Sequence, residues 1–138
     1  MGIRRSAFER VGGFDESYFM YFEEVDLCYR LAREGWEIHF TPASRIIHLG
    51  GASTRQVKSQ MTLQYFTSLQ HFYRQHYSAL RMVELSILVE GTALAKWINR
   101  RIKLITTRDP RLRADLTAEM GLWQHLLVNG RENQVLNE

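Results

Sequence analysis

The chain has 138 residues, of which 45% are hydrophobic, 12% aromatic and 24% charged, with two prolines and a net charge of +3. These values exclude a disordered or low-complexity chain, and the length is sufficient for one domain with a real hydrophobic core. The single cysteine, Cys28, excludes an internal disulfide and favours a reducing compartment. The first residues carry two arginines but no apolar run, so we expect neither a signal peptide nor a membrane anchor, and a cytoplasmic location.

The first part of the chain predicts two helices separated by a polar loop. Residues 4–11 have helical spacing and end at a glycine pair. The loop then leads into an aromatic cluster, residues 18–22, which we expect to be mostly buried. Residues 23–34 carry an apolar stripe, acids in the first turn and arginines near the end, and Gly35 closes this helix.

Two extended segments are predicted next. Residues 36–41 alternate between apolar and polar side chains, which is typical of a half-buried strand, and Pro42 ends it. A second extended run covers residues 44–49 and ends at two glycines. Two strands followed by long helices predict an α/β fold of the helix-dominated, α+β kind.

The second half of the chain has helical spacing throughout, over residues 57–78, 79–105 and about 115–128. Residues 79–98 are the most apolar, yet charged residues and a glycine interrupt them, so we expect no membrane-spanning helix. A helix packed in a core or a dimer is favoured over one lying in a membrane interface. We therefore divide the chain at residues 1–55 and 56–138.

A cluster of cations lies between residues 100 and 113. Such a cluster favours an anionic neighbour, either a membrane surface or a nucleotide, but a solvated helix face explains it equally well. No aromatic ladder or nucleic-acid motif accompanies the cluster, so we expect no nucleic-acid partner.

Three carboxylates, Glu23, Glu24 and Asp26, lie within four residues at a predicted helix start. Acids in a first turn commonly do no more than complement the helix dipole. In the functional alternative, one carboxylate faces a cleft as a general base while another, Asp26, is held by Arg30 four residues later. The acids alone favour the structural interpretation.

The order of motifs over about residues 4–55 resembles the closing segment of inverting, family 2 glycosyltransferases of the GT-A fold, the rhamnosyltransferases included. The shared series is Gly12-Gly13-Phe14-Asp15-Glu16, Tyr21-Phe22-Glu23-Glu24-Val25-Asp26, Gly35-Trp36, Pro42-Ala43 and Ile46-Ile47-His48. The resemblance implies the C-terminal part of an enzyme that transfers a sugar from a nucleotide-diphosphate donor to a glycan or lipid-linked acceptor.

The resemblance also implies roles for the acidic residues. Glu23 matches the family's Glu, and Glu24 matches the usual Asp that acts as the catalytic base, with one additional methylene. Asp26 would support this pair. Asp15, with Phe14, matches a position near the acceptor, although an Asp that only forms a turn is an equal alternative.

Residues further along would meet the donor's diphosphate. His48 matches a family histidine that contacts the divalent metal or the diphosphate, although a lone histidine is more often structural. Ser53 and Arg55 follow in a glycine-flanked loop where a hydroxyl and a guanidinium suit a leaving diphosphate.

The family's metal-holding Asp-X-Asp motif does not occur in the sequence. We therefore expect this chain alone to be inactive, with manganese or magnesium needed only in the complete enzyme. Exposed apolar surface predicts a homodimer, and peripheral contact with the inner face of the cell membrane is a further expectation. The alternative function is a non-catalytic helical module for dimerisation or membrane-interface binding.

Overall fold

The computed structural model describes residues 1–43, 45, 47 and 58–129. These residues form five helices: α1 (Arg5–Arg10), α2 (Glu23–Arg33), α3 (Lys58–His76), α4 (Ala79–Thr106) and α5 (Pro110–Asn129). Two compact units are present, Met1–Phe72 and Tyr73–Glu138. The first contains α1, α2 and most of α3, and the second contains α4 and α5.

The predicted α/β class is wrong, because the described residues contain helices and no strand. Residues 36–41 have the alternating pattern of a strand, but no neighbouring strand lies beside them in the described ranges. A strand exists only through hydrogen bonds to a partner, and Phe40, a residue meant to be buried, is 93% exposed. Most of the second predicted strand, residues 44–49, lies outside the described residues.

The core of the first unit lies between α1 and α2. Ala7, Leu27 and Leu31 are buried there, and the half-buried side chains of Ile3, Phe8, Val11 and Trp36 pack against them. Gly35 has a φ of +82°, and the N–H of the next residue, Trp36, donates to the carbonyl of Leu31 at 3.0 Å. Glycine is suited to this left-handed position, so α2 ends where the sequence predicts.

Arg30 connects α2 to the loop after α1. Its Nε donates to Oδ2 of Asp26 at 2.7 Å, its Nη2 donates to the carbonyl of Gly13 at 2.8 Å, and its Nη1 donates to the carbonyl of Val11. Asp26 is only 1% exposed. The predicted pair of Asp26 and Arg30 is confirmed, and the same guanidinium satisfies two backbone carbonyls as well.

The aromatic cluster packs on α3. The Phe22 and Phe72 rings lie 5.7 Å apart, and Tyr18 meets the His71 ring edge to face at 4.8 Å. Ser68, on the same helix, donates through Oγ to the carbonyl of Met20 at 2.7 Å. The expectation of burial holds for Tyr18 and is wrong for Phe19, whose side chain is 79% exposed.

The second unit is an antiparallel pair of helices. The buried side chains on α4 are Leu85, Val89 and Ala93, and those on α5 are Leu116, Met120, Trp123 and Leu126. Arg100 pairs with Glu119 across the two helices, and Nζ of Lys96 lies 4.8 Å from the centre of the Trp123 ring.

Two further contacts fix the ends of these helices. Nη1 of Arg113 donates to the carbonyls of Leu104 and Thr107 at 2.8 and 3.1 Å, at the C-terminal end of α4. The Asp109 carboxylate accepts the N–H of Arg111 at 2.9 Å, at the start of α5. Members of the basic cluster therefore serve the helix pair itself.

Among the described helices, none is long and apolar enough to cross a membrane.

We predict that Arg30→Met destabilises the first unit by about 3 kcal/mol, because it leaves the carboxylate of Asp26 buried without its charge partner. The measurement is hydrogen exchange of the α2 amides, which reports on this unit alone. The matched control is Arg10→Met, which removes an exposed ion pair with Glu34 and should cost less than about 1 kcal/mol. Equal protection in the two variants would contradict the role assigned to Arg30.

We predict that Tyr18 makes the first unit sensitive to alkaline pH. Burial, with the negative charges of Asp26 and Asp15 adding to it and Arg30 opposing it, raises the pKa of the Tyr18 phenol well above its usual value. The folded state therefore holds this proton more tightly than the unfolded state, whose tyrosines have a pKa of about 10. The stabilisation is complete below about pH 10 and is lost as the pH rises further.

The measurement is the free energy of unfolding of the wild type and of Tyr18→Phe between about pH 8 and 11.5. The difference in free energy of unfolding between the two proteins should stay constant up to about pH 9.5. Above this pH the wild type should lose stability relative to Tyr18→Phe, because only its unfolded state releases the Tyr18 proton. Parallel curves across the whole range would show that the Tyr18 proton does not contribute.

Candidate functional site

The acidic helix start follows a strained turn. Tyr21 and Phe22 have φ values of 67° and 70°, the left-handed conformation that residues with a Cβ rarely adopt. The ring of Tyr21 lies 5.8 Å from that of Tyr65, and Phe22 packs against both Tyr65 and Phe72. Packing against α3 therefore holds the turn that directs Glu23 and Glu24 into the first turn of α2.

The three carboxylates of this turn lie in three different environments. Glu24 is exposed to solvent. Glu23 is half-buried, and its Oε2 is buried with no hydrogen-bond partner among the described residues. Asp26 is buried and bound by Arg30. The structure thus separates one accessible carboxylate, one with a free acceptor atom, and one that holds the fold.

This separation shows the structural role of one member of the acidic cluster. Asp26 stabilises α2 and the loop before it, and its carboxylate faces Arg30 instead of solvent. Glu24 is the carboxylate of this turn that is exposed to solvent. A buried oxygen without a partner is rare in folded proteins, and Oε2 of Glu23 is such an atom among the described residues.

The loop around Asp15 is tied to α3. Oδ1 of Asp15 accepts hydrogen bonds from the N–H and the Oγ of Ser17, at 2.9 and 2.6 Å. The same Oγ lies 2.8 Å from Nε2 of His71. Asp15 thus forms the turn that the sequence indicated, and Phe14 beside it is 46% exposed.

His71 is a contact that the sequence analysis missed. It lies 54 positions from Ser17, and no spacing rule relates a loop serine to a histidine on a distant helix. The helical spacing of residues 57–78 was the available signal, because a helix with an apolar face packs against another element. It did not indicate that the aromatic cluster and the Asp15 loop were that partner.

The structure brings some predicted residues together and leaves others undescribed. Glu23, Glu24 and Asp26 share one helical turn, and Asp15 and Phe14 lie in the loop before it. The residues predicted to meet the diphosphate and the metal, Ser53, Arg55 and His48, lie outside the described residues. Within residues 1–43 and 58–129, no three His, Cys, Asp or Glu side chains are grouped so that they could hold a metal ion.

A cavity of about 500 Å³ lies in the first unit but away from the carboxylates. Its walls include Ile3, Ala7, Cys28, Leu31, Trp36 and Ile38. These side chains are mostly apolar and include none of the candidate site residues. The cavity suits an apolar side chain of another segment better than a charged sugar nucleotide.

Comparisons with known proteins relate part of the chain to glycosyltransferases. It is 52% identical over 52 residues to the N-acetylglucosaminyl-diphospho-decaprenol L-rhamnosyltransferase of Mycobacterium tuberculosis, a match covering 38% of this chain and 17% of that protein. It is 45% identical over 60 residues to the rhamnosyltransferase WbbL of Escherichia coli, covering 44% of this chain and 23% of WbbL. No family model and no solved structure matches the chain.

A longer and more distant match is to the low-salt glycan biosynthesis hexosyltransferase Agl10 of Haloferax volcanii. The two are 29% identical over 103 residues, which are 71% of this chain and 34% of Agl10. The chain thus spans between about a sixth and a third of the length of these curated relatives. Over part of its length, the chain is related to glycosyltransferases that include two rhamnosyltransferases.

Proposed function

We propose that this chain is the C-terminal part of an inverting glycosyltransferase and that Glu24 is its general base. The observation that carries the proposal is that the three carboxylates at the start of α2 differ in their exposure to solvent. Only Glu24 is exposed, while Asp26 is bound by Arg30. The partial matches to two rhamnosyltransferases and a hexosyltransferase support the reaction class.

In the proposed reaction, a carboxylate oxygen of Glu24 accepts the proton of an acceptor hydroxyl as that oxygen attacks the anomeric carbon of the donor sugar. The new C–O bond forms while the bond to the nucleotide diphosphate breaks, and the diphosphate leaves with the electron pair. Attack from the opposite face inverts the anomeric carbon. Glu23 and Asp26 support this base from the same helical turn.

The acceptor in this proposal is a glycan or a lipid-linked sugar, and the donor is a nucleotide-diphospho-sugar. The name of the M. tuberculosis relative specifies a diphospho-decaprenol acceptor, which supports the lipid-linked class. Asp15 and Phe14 would line the acceptor side, since their loop is anchored to α3 through Ser17 and His71.

We propose that the isolated chain has no glycosyltransferase activity. It spans about a sixth to a third of the length of its relatives, and its sequence has no Asp-X-Asp motif. The described residues do not fit a divalent metal, because they contain no group of three suitable donors. Manganese or magnesium would be required only in the complete enzyme, where it would neutralise charge on the diphosphate.

We predict the outcome of a fusion that joins this chain to the portion of E. coli WbbL that it does not match. In this fusion, Glu24→Gln should lower kcat by about 100- to 10,000-fold, the usual contribution of a general base, with KM nearly unchanged. Glu24→Asp should keep activity, since it restores the base that the family uses. The assay is sugar transfer measured by nucleotide diphosphate release.

Two controls accompany this prediction. Glu34→Gln removes an exposed carboxylate from the other end of α2 and should leave kcat within about twofold. Calorimetry with UDP, TDP and GDP in the presence of manganese should show binding to the fusion and none to the isolated chain. A Glu24→Gln fusion as active as the Glu34→Gln fusion would exclude Glu24 as the base.

A further inference from the structure

The outer face of α4 carries an exposed apolar stripe that faces away from α5. The face toward α5 contains the buried residues Leu85, Val89 and Ala93. On the opposite face, the exposed fractions run from 45% for Ile98 to 78% for Ile105. The exposed stripe consists of Leu80, Val83, Ile87, Leu94, Ile98, Ile102 and Ile105, with Gly91 in its middle.

The stripe follows an eleven-residue repeat. From residue 80 to residue 105 its positions advance in steps of three, four and four, with Gly91 filling the central place. A repeat of eleven residues gives about 3.67 residues per turn, which is close to the α-helix itself. The stripe therefore runs almost straight along the helix, as a surface that packs lengthwise against another helix must.

The stripe is also symmetric about its own centre. Counting outward from the point between residues 92 and 93, Leu80 corresponds to Ile105, Val83 to Ile102 and Ile87 to Ile98. Gly91 corresponds to Leu94. We propose that α4 of two copies of this chain pack antiparallel through these stripes, forming a two-fold symmetric homodimer whose centre lies between residues 92 and 93.

Charge supports the antiparallel direction. Glu84 and Arg101 flank the stripe and lie at equal distances from its centre. Within its own helix, Glu84 pairs with Arg81 at 2.6 Å. Antiparallel pairing also brings Glu84 of one copy level with Arg101 of the other, twice per dimer. Parallel pairing would place like charges level with each other at both positions, which is unfavourable.

Gly91 provides an independent reason for a close partner. Glycine inside a helix costs about 1 kcal/mol relative to alanine. Among the described residues nothing requires it, because a Cβ at this position would meet none of their atoms within 4 Å. In the proposed pair, Leu94 of the other copy lies level with Gly91, and the missing side chain leaves room for it.

The same stripe suits a second copy better than a lipid surface. Glu84 borders the stripe and Glu90 lies beside it, and the cations of α4 other than Arg81 are confined to its C-terminal half, at Lys96, Arg100, Arg101 and Lys103. A helix that lies on anionic lipid carries cations along its polar face. A self-complementary interface between two copies instead requires opposite charges at equal distances from its centre, as Glu84 and Arg101 are.

The dimensions of the stripe set the strength of the contact. A helix of 28 residues is about 42 Å long, and a stripe about 10 Å wide removes on the order of 1,000 Å² in total from two copies. This area lies at the lower limit of specific interfaces. We therefore expect a dissociation constant in the micromolar range.

The first experiment tests direction and register by disulfide formation, in a Cys28→Ser background of the full chain. The double variant Ile87→Cys, Ile98→Cys should form covalent dimers on mild oxidation, because each Cys meets the other position of the second copy. Each single variant should form few disulfide-linked dimers, since the two copies of residue 87 would lie about 16 Å apart along the helix pair. Efficient dimers from the single variants would overturn the antiparallel register.

The second experiment measures the dissociation constant by analytical ultracentrifugation. Gly91→Lys should weaken the dimer at least tenfold, since it brings two lysines together near the two-fold axis, while the helix propensity of lysine keeps the monomer folded. Ile98→Glu should weaken it similarly. Thr92→Glu, which adds the same charge off the stripe on the exposed side of α4, should change the constant less than threefold.

Vesicles with and without anionic lipid test the alternative that the stripe binds a membrane surface. Under the proposal, the wild-type dimer forms without lipid, and neither neutral nor anionic vesicles pellet it. A wild-type chain that stays monomeric at about 100 μM, or that pellets with anionic vesicles, would overturn the proposal. Circular dichroism of each variant confirms that the helices persist, so a loss of dimer reports on the contact.

Discussion

The first unit depends on one guanidinium group. Arg30 binds the buried carboxylate of Asp26 and the backbone carbonyls of Val11 and Gly13, so it joins α2 to the loop that leads into the candidate site. An ion pair in a buried place is favourable only when its remaining hydrogen-bonding groups are satisfied, and here the two carbonyls satisfy them. These bonds fix the position of Gly13 relative to α2, and the loop that follows Gly13 begins from that fixed position.

Between that anchor and the helix, the chain makes a turn that its own residues disfavour. Tyr21 and Phe22 hold left-handed conformations that cost about 1–3 kcal/mol each, and the rings of Tyr65 and Phe72 on α3 offset this cost by packing. The turn ends at Glu23 and Glu24. The strain therefore lies where carboxylates of different accessibility are set side by side, which is typical of functional sites.

Much of this arrangement could be predicted from local sequence. The glycines fixed the ends of α1 and α2, the spacing of Asp26 and Arg30 predicted their pair, and the apolar periodicity predicted α3 and α4. The start of α5 was placed too late, because the Asp109-Pro110 cap and first-turn proline were not recognised. The strand at residues 36–41 failed for another reason: its alternation is real, but a strand also needs a neighbour. The contact of Ser17 with His71 depends on tertiary packing, which one sequence does not contain.

The separation along the chain between α2 and α3 determines the order in which the first unit can assemble. The contacts of Arg30 join residues fewer than 20 positions apart, whereas those of Ser17 with His71 and Met20 with Ser68 span 54 and 48 positions. Closing the longer loop costs more chain entropy, so α1 and α2 can associate before α3 docks. Until α3 docks, the ring contacts that hold Tyr21 and Phe22 in their strained turn are absent. The carboxylates would then acquire their separate environments only in the last stage of folding.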